Sequence, residues 1–212
     1  MIGIFGGTFD PVHFGHLRTA LEVADALSLG EVRFVPCRVP PHRGQPRATP
    51  EDRLAMLRLA LEGSDPRFRI DDREMRREGP SYMVDTLASM RGETPEQSLC
   101  LIVGLDAFQG IPAWHRWREI FKLAHVVVMQ RPFEPEFAEA LERTLEERLV
   151  QKRAMLQARL AGSICFEEVS QLAISASRIR ELVRLGKSTQ YLLPDCVRDF
   201  IASHRLYRSA AA

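Results

Sequence analysis

The sequence lacks the paired cysteines that would indicate a disulfide framework or a zinc site. Its four cysteines lie far apart and none belongs to a Cys-x-x-Cys pair: Cys37, Cys100, Cys165 and Cys196. Two of them, Cys100 and Cys165, lie in apolar strand-like runs, where a thiol usually behaves as a small core residue. The cysteine pattern therefore predicts a reduced protein without a disulfide scaffold.

Long hydrophobic runs are also missing. The longest apolar stretches, such as residues 124–129 with His125 among them, are much too short to span a bilayer. No basic-then-apolar leader opens the sequence. These absences predict a cytoplasmic protein that has no membrane partner.

A third absence is an excess of either charge. The 29 lysines and arginines nearly balance the 28 aspartates and glutamates, so the net charge is +1. A dedicated nucleic-acid binder normally carries a basic excess, so we expect no nucleic-acid partner. A small anionic ligand needs only a local basic cluster and stays open. The 212 residues contain no repeat or linker that would divide them, and we expect one domain over residues 1–212.

The first sixteen residues carry a compact motif, although neither the G-x-G-x-x-G fingerprint nor a Walker loop is present. A short buried strand over residues 2–5 runs into Gly6 and Gly7, and an Asp-Pro bend follows. His13 and His16 then open a helix, and their spacing places them on one face of its first turn. A lone His-x-x-His pair is more often a surface or capping feature. Here the preceding strand and glycines favour a phosphate site, because a helix N-terminus attracts anions.

A second cluster covers residues 174–180, Ile-Ser-Ala-Ser-Arg-Ile-Arg, at the start of another helix. Ser175 or Ser177 is a suitable N-cap. Arg178 and Arg180 fall in the first turn, where the helix dipole disfavours cations. Two solvated arginines would explain the cluster equally well on its own. Beside the first motif, a bound anion is the favoured interpretation.

Short apolar runs alternate with helical patterns along the chain. Strands are predicted over residues 2–5, 31–36, 68–71, 98–104, 125–129 and 164–166. Helices are predicted over residues 17–29 ending at Gly30, 50–62 ending at Gly63, 81–90 ending at Gly92, 136–160, 177–185 and 195–203, with short helical turns over 106–123. Right-handed crossovers then give an α/β fold, a Rossmann-like and mostly parallel sheet with helices on both faces. A small helical C-terminal part, about residues 170–212, carries the second cluster.

The unusual residues of the sequence follow the carboxyl ends of the predicted strands, where open parallel sheets bind ligands. These are residues 6–16, 40–43, 104–106, 131 and 175–180. The arginines of residues 67–77 alternate with acids and predict a solvated face. The leucine stripe of residues 136–160 is expected to serve core or subunit packing, which leaves a homo-oligomer open.

Residues 6–16 resemble the GGxFDPxHxGH signature of the nucleotidylyltransferase superfamily, and residues 174–180 resemble its ISxTxxR partner. Further stretches resemble the bacterial nicotinate-nucleotide adenylyltransferases: residues 40–42, 80–87, 103–106 followed by Trp114, and 192–208. The resemblance covers nearly the whole chain and is weakest over 136–160. It implies a single nucleotidylyltransferase domain that transfers the adenylyl group of ATP to nicotinate mononucleotide. The products would be nicotinic acid adenine dinucleotide and pyrophosphate, in NAD biosynthesis.

The resemblance also implies a division of the site residues. His13, His16 and Arg180 would be catalytic, and the ATP phosphates would meet Gly6, Gly7, Thr8, Phe9, Ser175 and Ser177. Nicotinate mononucleotide would meet His42, Met83, Thr86, Gly104, Asp106, Trp114, His115 and Arg131. Mg²⁺ would arrive with ATP and be held mainly by phosphates and water, so no protein metal ligands are expected.

Three positions depart from the family pattern. Met83 stands where threonine is common, so a side-chain hydroxyl contact is lost although the backbone amide remains. Arg43 and Gln130 replace residues that are often lysine and arginine, which changes the set of phosphate contacts.

Other functions of the superfamily remain as alternatives. The acceptor could be nicotinamide mononucleotide or phosphopantetheine, or the protein could be a nucleotide-binding regulator without catalysis. An RNA-binding relative of the tRNA synthetases is disfavoured by the balanced charge and by the Ser-x-Ser-x-x-Arg form of the second motif.

Overall fold

The parallel sheet predicted from the sequence is the centre of the molecule. The structure, a computed structural model, describes residues 1–41, 44–130, 143–150, 154–170 and 172–208. Within them the strands are β1 (Ile2–Gly7), β2 (Glu31–Pro36), β3 (Phe68–Ile70), β4 (Leu99–Gly104), β5 (His125–Gln130) and β6 (Ile164–Glu168). The predicted site residues His42 and Arg131, and the departure at Arg43, lie outside the described residues.

Helices connect the strands and follow the last of them. They are α1 (Phe14–Ala26), α2 (Pro50–Leu61), α3 (Arg73–Arg76), α4 (Met83–Glu93), α5 (Leu105–Gln109), α6 (Trp117–Leu123), α7 (Arg143–Glu146), α8 (Ala154–Gln157), α9 (Ala176–Arg184) and α10 (Asp195–Ser203), with a 3₁₀ turn at Ile111–Ala113. Helix α2 begins as predicted, with Thr49 as its N-cap accepting from the Asp52 amide. The short helix α3 was not predicted. No helix in the described ranges is both long and apolar enough to cross a membrane.

The strand order is β3-β2-β1-β4-β5-β6, and every neighbouring pair is parallel. The first three strands extend the sheet from β1 toward one edge, which β3 forms. The last three extend it from β4 toward the other edge, which β6 forms. The carboxyl ends of β1 and β4 therefore flank the switch point where such sheets bind ligands. The α/β fold class predicted from the sequence is confirmed.

Alternate residues of the strands are buried on opposite faces of the sheet, which gives two cores. Phe5, Phe34 and Ile102 face α1, α2, α9 and α10, and the cysteines Cys100 and Cys165 lie in this core as predicted. Ile4, Leu101 and Val128 face the other side, where α4 and α6 pack. Helices on both faces explain why the strand sequences are apolar almost throughout.

The predicted end of α1 at Gly30 is wrong. The helix ends at Ala26, and Ser28 takes the left-handed position with φ 50°. The Leu29 amide donates to the Ala24 carbonyl (2.9 Å) and the Ser28 amide to the Asp25 carbonyl (3.2 Å), the hydrogen bonds of a Schellman motif. This ending turns Leu27 and Leu29 into the core, where both are buried.

Helix α4 does not stop at Gly92 as predicted. It runs through Gly92 to Glu93 and ends at Thr94, whose amide and hydroxyl both donate to the Met90 carbonyl at 2.9 Å. Thr94 precedes Pro95, and a residue before proline is driven out of the helical region. The proline, more than the glycine, sets this boundary.

The single long helix predicted over residues 136–160 is also wrong where the structure describes it. Two short helices, α7 and α8, are separated by a stretch that runs beside β6. There the Ile164 amide donates to the Arg148 carbonyl (2.8 Å), and the Val150 amide donates to the Ile164 carbonyl (2.9 Å). Pairing with a strand edge removes these residues from the helix. Of the leucine stripe, Leu145 and Leu156 are buried.

Candidate functional site

A cleft of about 1260 Å³ opens at the carboxyl ends of β1 and β4. A pocket for one drug-sized ligand typically encloses roughly 300–1,000 Å³, so this cleft is larger than one such ligand requires. Fourteen of the predicted site residues line it: Gly6, Gly7, Thr8, Phe9, His13, His16, Met83, Gly104, Asp106, Trp114, His115, Ser175, Ser177 and Arg180. The structure thus brings together residues from both ends of the chain.

Thr86 does not belong to this set, because it does not line the cleft. Its side chain is fully buried, and its hydroxyl donates to a carboxylate oxygen of Glu74 at 2.5 Å. Position 86 lies on the inner face of α4, whereas the cleft wall is formed by the start of that helix. Arg178 is exposed on α9 and is absent from the cleft wall.

The two glycines of the first motif lie closely against side chains of the protein itself. A Cβ on Gly6 would lie 2.5 Å from Cε of Met83, and a Cβ on Gly7 would lie 2.9 Å from the Phe9 ring. Met83 therefore reaches across the switch point from the start of α4 and packs directly on β1. The residue that departs from the family pattern thus lines the cleft beside the first motif.

The two histidines of the first motif stack on each other at the start of α1. Their ring centroids are 3.7 Å apart with an interplanar angle of 26°. His13 is the N-cap residue, and its amide donates to Nδ1 of His16 (3.3 Å). A neutral His16 of this tautomer carries its hydrogen on Nε2 and is a hydrogen-bond donor there.

His13 is neutral at physiological pH in the ligand-free protein. Its side chain is 5% exposed, and burial lowers its pKa from 6.5 to about 4. Its Nδ1 is buried without a hydrogen-bond partner among the described residues. At this position His13 offers a phosphate a hydrogen bond from a neutral ring, and it brings no positive charge of its own.

The second motif faces the first across the cleft. Ser175 is the N-cap of α9 and accepts from the Arg178 amide at 3.2 Å. Arg180 donates from Nη2 to the Ser177 hydroxyl (3.1 Å) and from Nη1 to the Asp10 carbonyl oxygen (2.6 Å). The anion site predicted from two separated clusters is therefore one surface, with a guanidinium at its edge.

Asp10 holds this surface together, and its carboxylate is buried. It accepts from the backbone amides of Arg47 (2.8 Å) and Ala48 (3.1 Å) and from the Tyr207 hydroxyl (2.7 Å). Arg180 lies 3.8 Å from the same carboxylate. Burial and the neighbouring Asp10 carboxylate both raise the pKa of Tyr207, which keeps the phenol protonated as a donor. One carboxylate thus joins the first motif, the start of α2 and the C-terminal segment.

Tyr207→Phe is expected to lower the free energy of unfolding by about 2 kcal/mol, because a buried carboxylate loses one of its donors. Urea unfolding followed by circular dichroism measures the change. Tyr191→Phe is the matched control, since Tyr191 is 81% exposed and should unfold like the wild type. Equal midpoints for the two variants would show that the Tyr207 hydrogen bond contributes nothing.

The other half of the cleft is formed by β4, the start of α4 and the loop after β2. Ser81 fixes that loop, because its hydroxyl accepts from the Arg38 amide (3.0 Å) and its own amide donates to the Val39 carbonyl (2.9 Å). The Tyr82 and His115 rings stack at 4.2 Å beside the partly exposed Trp114. An aromatic, half-open pocket of this kind suits a flat heterocycle.

Glu74 corrects the prediction of a solvated face over residues 67–77. Its side chain is 2% exposed and lines the cleft. Burial is the main cause of its raised pKa, and hydrogen bonds from Thr86 and Ser81 oppose that shift. Glu74 therefore lies buried in the half of the cleft that is formed by β4, the start of α4 and the loop after β2, where Thr86 donates to it.

Several site residues were missed by the sequence analysis: Asp10, Arg47, Arg53, Glu74 and Tyr207. For one of them a signal exists. Arg53 occupies the first position of the buried face of α2, followed at helical spacing by Met56, Leu57 and Ala60. A single arginine on an apolar stripe indicates a buried charge with a specific partner. The others depend on contacts between distant parts of the chain.

Metal ligands are few in the described parts of the chain. They contain no group of three or more His, Cys, Asp or Glu side chains placed to hold a metal ion. A divalent cation at this cleft would need most of its ligands from another source.

Comparison with known proteins identifies the family of this chain. The cytidylyltransferase-like family matches residues 4–182. A protein of Methylococcus capsulatus named probable nicotinate-nucleotide adenylyltransferase is 57% identical over 208 residues, which cover 98% of this chain and 99% of the relative. A protein of Halorhodospira halophila with the same name is 47% identical, over 97% of this chain and 94% of its own.

The fold is also that of solved structures. The nicotinic acid mononucleotide adenylyltransferase of Plasmodium falciparum, solved with NaAD, superposes with a TM-score of 0.73 at 16% identity, covering 97% of this chain and 96% of its own. At this identity the likeness concerns the fold alone. From the sequence relatives and the matched family, the chain belongs to the cytidylyltransferase-like family and, within it, to the nicotinate-nucleotide adenylyltransferases.

Proposed function

We propose that this protein transfers the adenylyl group of ATP to nicotinate mononucleotide, releasing pyrophosphate and forming nicotinic acid adenine dinucleotide. The observation that carries the proposal is the contact between the two motifs. Arg180 donates to the Asp10 carbonyl at 2.6 Å across 170 positions of sequence, which sets both motifs on one cleft. The names of the relatives support the same reaction.

The chemistry requires alignment more than acid–base catalysis. The acceptor phosphate has a second pKa of about 6, so at neutral pH it is already mostly a dianion that can attack without a general base. Its oxygen forms a bond to the α-phosphorus while the bond from that phosphorus to the bridging oxygen breaks and pyrophosphate leaves. The protein must hold two anions in line and stabilise charge at the α-phosphate.

The first-motif half of the cleft is proposed to hold ATP. His16, a donor at Nε2 when neutral, would contact the reacting phosphate, and His13 would add a hydrogen bond from a buried ring. Arg180 and Ser177 would hold the β- and γ-phosphates, and the residues 6–9 would line the phosphate turn beside Ser175. Mg²⁺ that accompanies ATP would take its ligands mainly from phosphate oxygens and water.

The acceptor half is proposed to distinguish a carboxylate from a neutral amide. Helix α4 begins at Met83 on the cleft wall, and the first amides of a helix favour a negative group. A pyridine ring placed on Trp114 would present its carboxylate to these amides and to the chain at His115. Asp106, exposed at the carboxyl end of β4 beside Gly104, would accept from ribose hydroxyls.

The proposal is tested by assaying the purified protein with ATP, Mg²⁺ and a panel of acceptors, using pyrophosphate release as the readout. We expect the highest kcat/KM with nicotinate mononucleotide and a lower value with nicotinamide mononucleotide, which lacks the carboxylate. Activity with phosphopantetheine alone would assign another acceptor. No turnover with any acceptor, in protein that binds ATP, would favour a nucleotide-binding regulator.

The remaining expectations from the sequence stay predictions. They are a cytoplasmic location, the absence of nucleic-acid and membrane partners, and a homo-oligomer.

A further inference from the structure

Arg53 is a charged residue buried completely beneath the phosphate turn. It lies one turn into α2, and its side chain has no exposed surface. An isolated charge in a protein interior is costly unless it is paired. No carboxylate of the described residues forms an ion pair with Arg53 within 4.0 Å, and its Nε has no hydrogen-bond partner among them. Among the described residues, this buried cation donates its hydrogen bonds to neutral backbone groups.

The partners of Arg53 are three backbone carbonyls on two different loops. Nη1 donates to the Thr8 oxygen at 2.8 Å and to the Cys37 oxygen at 2.6 Å. Nη2 donates to the Arg38 oxygen at 3.1 Å. Thr8 belongs to the phosphate turn after β1, whereas Cys37 and Arg38 begin the loop after β2. One guanidinium thus joins the loops that form the two halves of the cleft, beside the Cys37 amide that donates to the Gly7 carbonyl (3.0 Å).

Two properties of the guanidinium suit this place. Its planar fork donates to the three carbonyls from two separate nitrogens, whereas the three donors of lysine diverge from a single nitrogen. It also carries a positive charge, which it places behind the phosphate turn. His13, the nearer candidate for such a charge, is neutral at pH 7 (its pKa is about 4).

We propose that Arg53 is a positioning residue for adenylyl transfer, an inference that rests on the function proposed above. It holds the Thr8 carbonyl and the loop at Cys37 in fixed relation, and it supplies a positive charge that attracts the ATP phosphates through the turn. It acts on the nucleotide without touching it. The positioning of the two loops affects kcat, and the positive charge affects the affinity for the ATP phosphates.

The test compares Arg53→Met and Arg53→Lys in the full-length protein, with Arg58→Met as the matched control. Arg58 lies on the exposed face of the same helix and should behave as the wild type. Calorimetry measures the binding of ATP and of uncharged adenosine without any acceptor. We expect Arg53→Met to weaken ATP binding about tenfold and to leave adenosine binding within about twofold, because only ATP carries the opposing charge.

Arg53→Lys keeps the charge but loses the three-way contact. We expect its ATP affinity to stay within about threefold of wild type while kcat falls about tenfold, since the loops lose their fixed relation. Equal weakening of ATP and adenosine in Arg53→Met would reduce the residue to a structural support and overturn the electrostatic role. A wild-type kcat in Arg53→Lys would overturn the positioning role.

If Arg53→Met does not fold, as judged by circular dichroism, the lysine variant still decides through its kcat and its ATP affinity. If the wild type binds ATP but shows no turnover with nicotinate mononucleotide, the proposed function fails, while the binding comparison still accepts or rejects the charge of Arg53.

Discussion

His16→Ala is expected to lower kcat for adenylyl transfer by about 10²–10³-fold, the usual cost of removing one donor to a developing charge. His16 stacks on His13 at 3.7 Å and lines the cleft at the start of α1. Its Nδ1 accepts from the His13 amide, which orients the ring and fixes its tautomer. An alanine at this position removes the donor and leaves the sheet intact.

Steady-state pyrophosphate release at saturating ATP and acceptor measures this effect. If the contact forms only in the transition state, kcat and kcat/KM should fall together. His204→Ala serves as the control, because His204 is exposed at the end of α10 and stacks on Phe200. Its kcat should equal that of the wild type. A His16→Ala protein with unchanged kcat and a native circular dichroism spectrum would refute the transition-state role.

The second large effect concerns stability at acid pH and arises from His13. Its pKa is about 4 in the folded protein and 6.5 when unfolded, so the unfolded chain binds more protons between these values. The contribution of His13 to the free energy of unfolding is therefore fully present above pH 6.5, and it is lost as the pH is lowered toward 4. The total loss from this one group is about 3 kcal/mol, of which about 2 kcal/mol should appear by pH 5.

His13→Phe removes this titration and keeps a ring against His16. Urea unfolding at pH 7.5 and pH 5.0 gives the comparison, and the wild type should lose about 2 kcal/mol more than the variant between the two. His125 also has a pKa lowered by burial, so both proteins share its smaller acid-induced loss. The same pH dependence in the two proteins would show that His13 is not buried as a neutral ring.

Much of the fold could be predicted because its determinants are local. The strands are short, apolar on both faces and separated by helical patterns, which together specify a parallel sheet covered on both sides. The first motif and the residues 174–180 were recognisable from a few residue types at fixed spacing. Their meeting in one cleft followed from the rule that ligands bind at the carboxyl ends of parallel strands.

The errors occurred where tertiary contacts override local signals. Gly30 and Gly92 are reasonable helix stops, but burial of Leu29 placed the first ending at Ser28, and Pro95 placed the second at Thr94. Within the long helix predicted over residues 136–160, the described residues 148–150 pair with β6 and are not helical. Such competition between a helix and a distant strand edge leaves no trace in a window of sequence.

The site showed the same division between local and distant causes. Thr86 fitted a family pattern, yet the rotation of α4 turns it toward Glu74 and away from the cleft. Asp10 lies inside the recognised motif, but its partners at positions 47, 48 and 207 could not be read from its neighbours. The rotation of a helix about its axis decides whether a given side chain faces the ligand or the core. Packing against the rest of the protein sets that rotation.

The hydrogen bond between Asp10 and Tyr207 has a consequence for how the protein is made. The two residues are 197 positions apart, so the carboxylate gains its last donor only when almost the entire chain is available. Contacts this distant in sequence form late and slow a folding reaction. During translation the sheet can assemble strand by strand from β1, whereas the nucleotide cleft stays unfinished. The emerging polypeptide would therefore form its sheet before it completes the cleft that binds ATP.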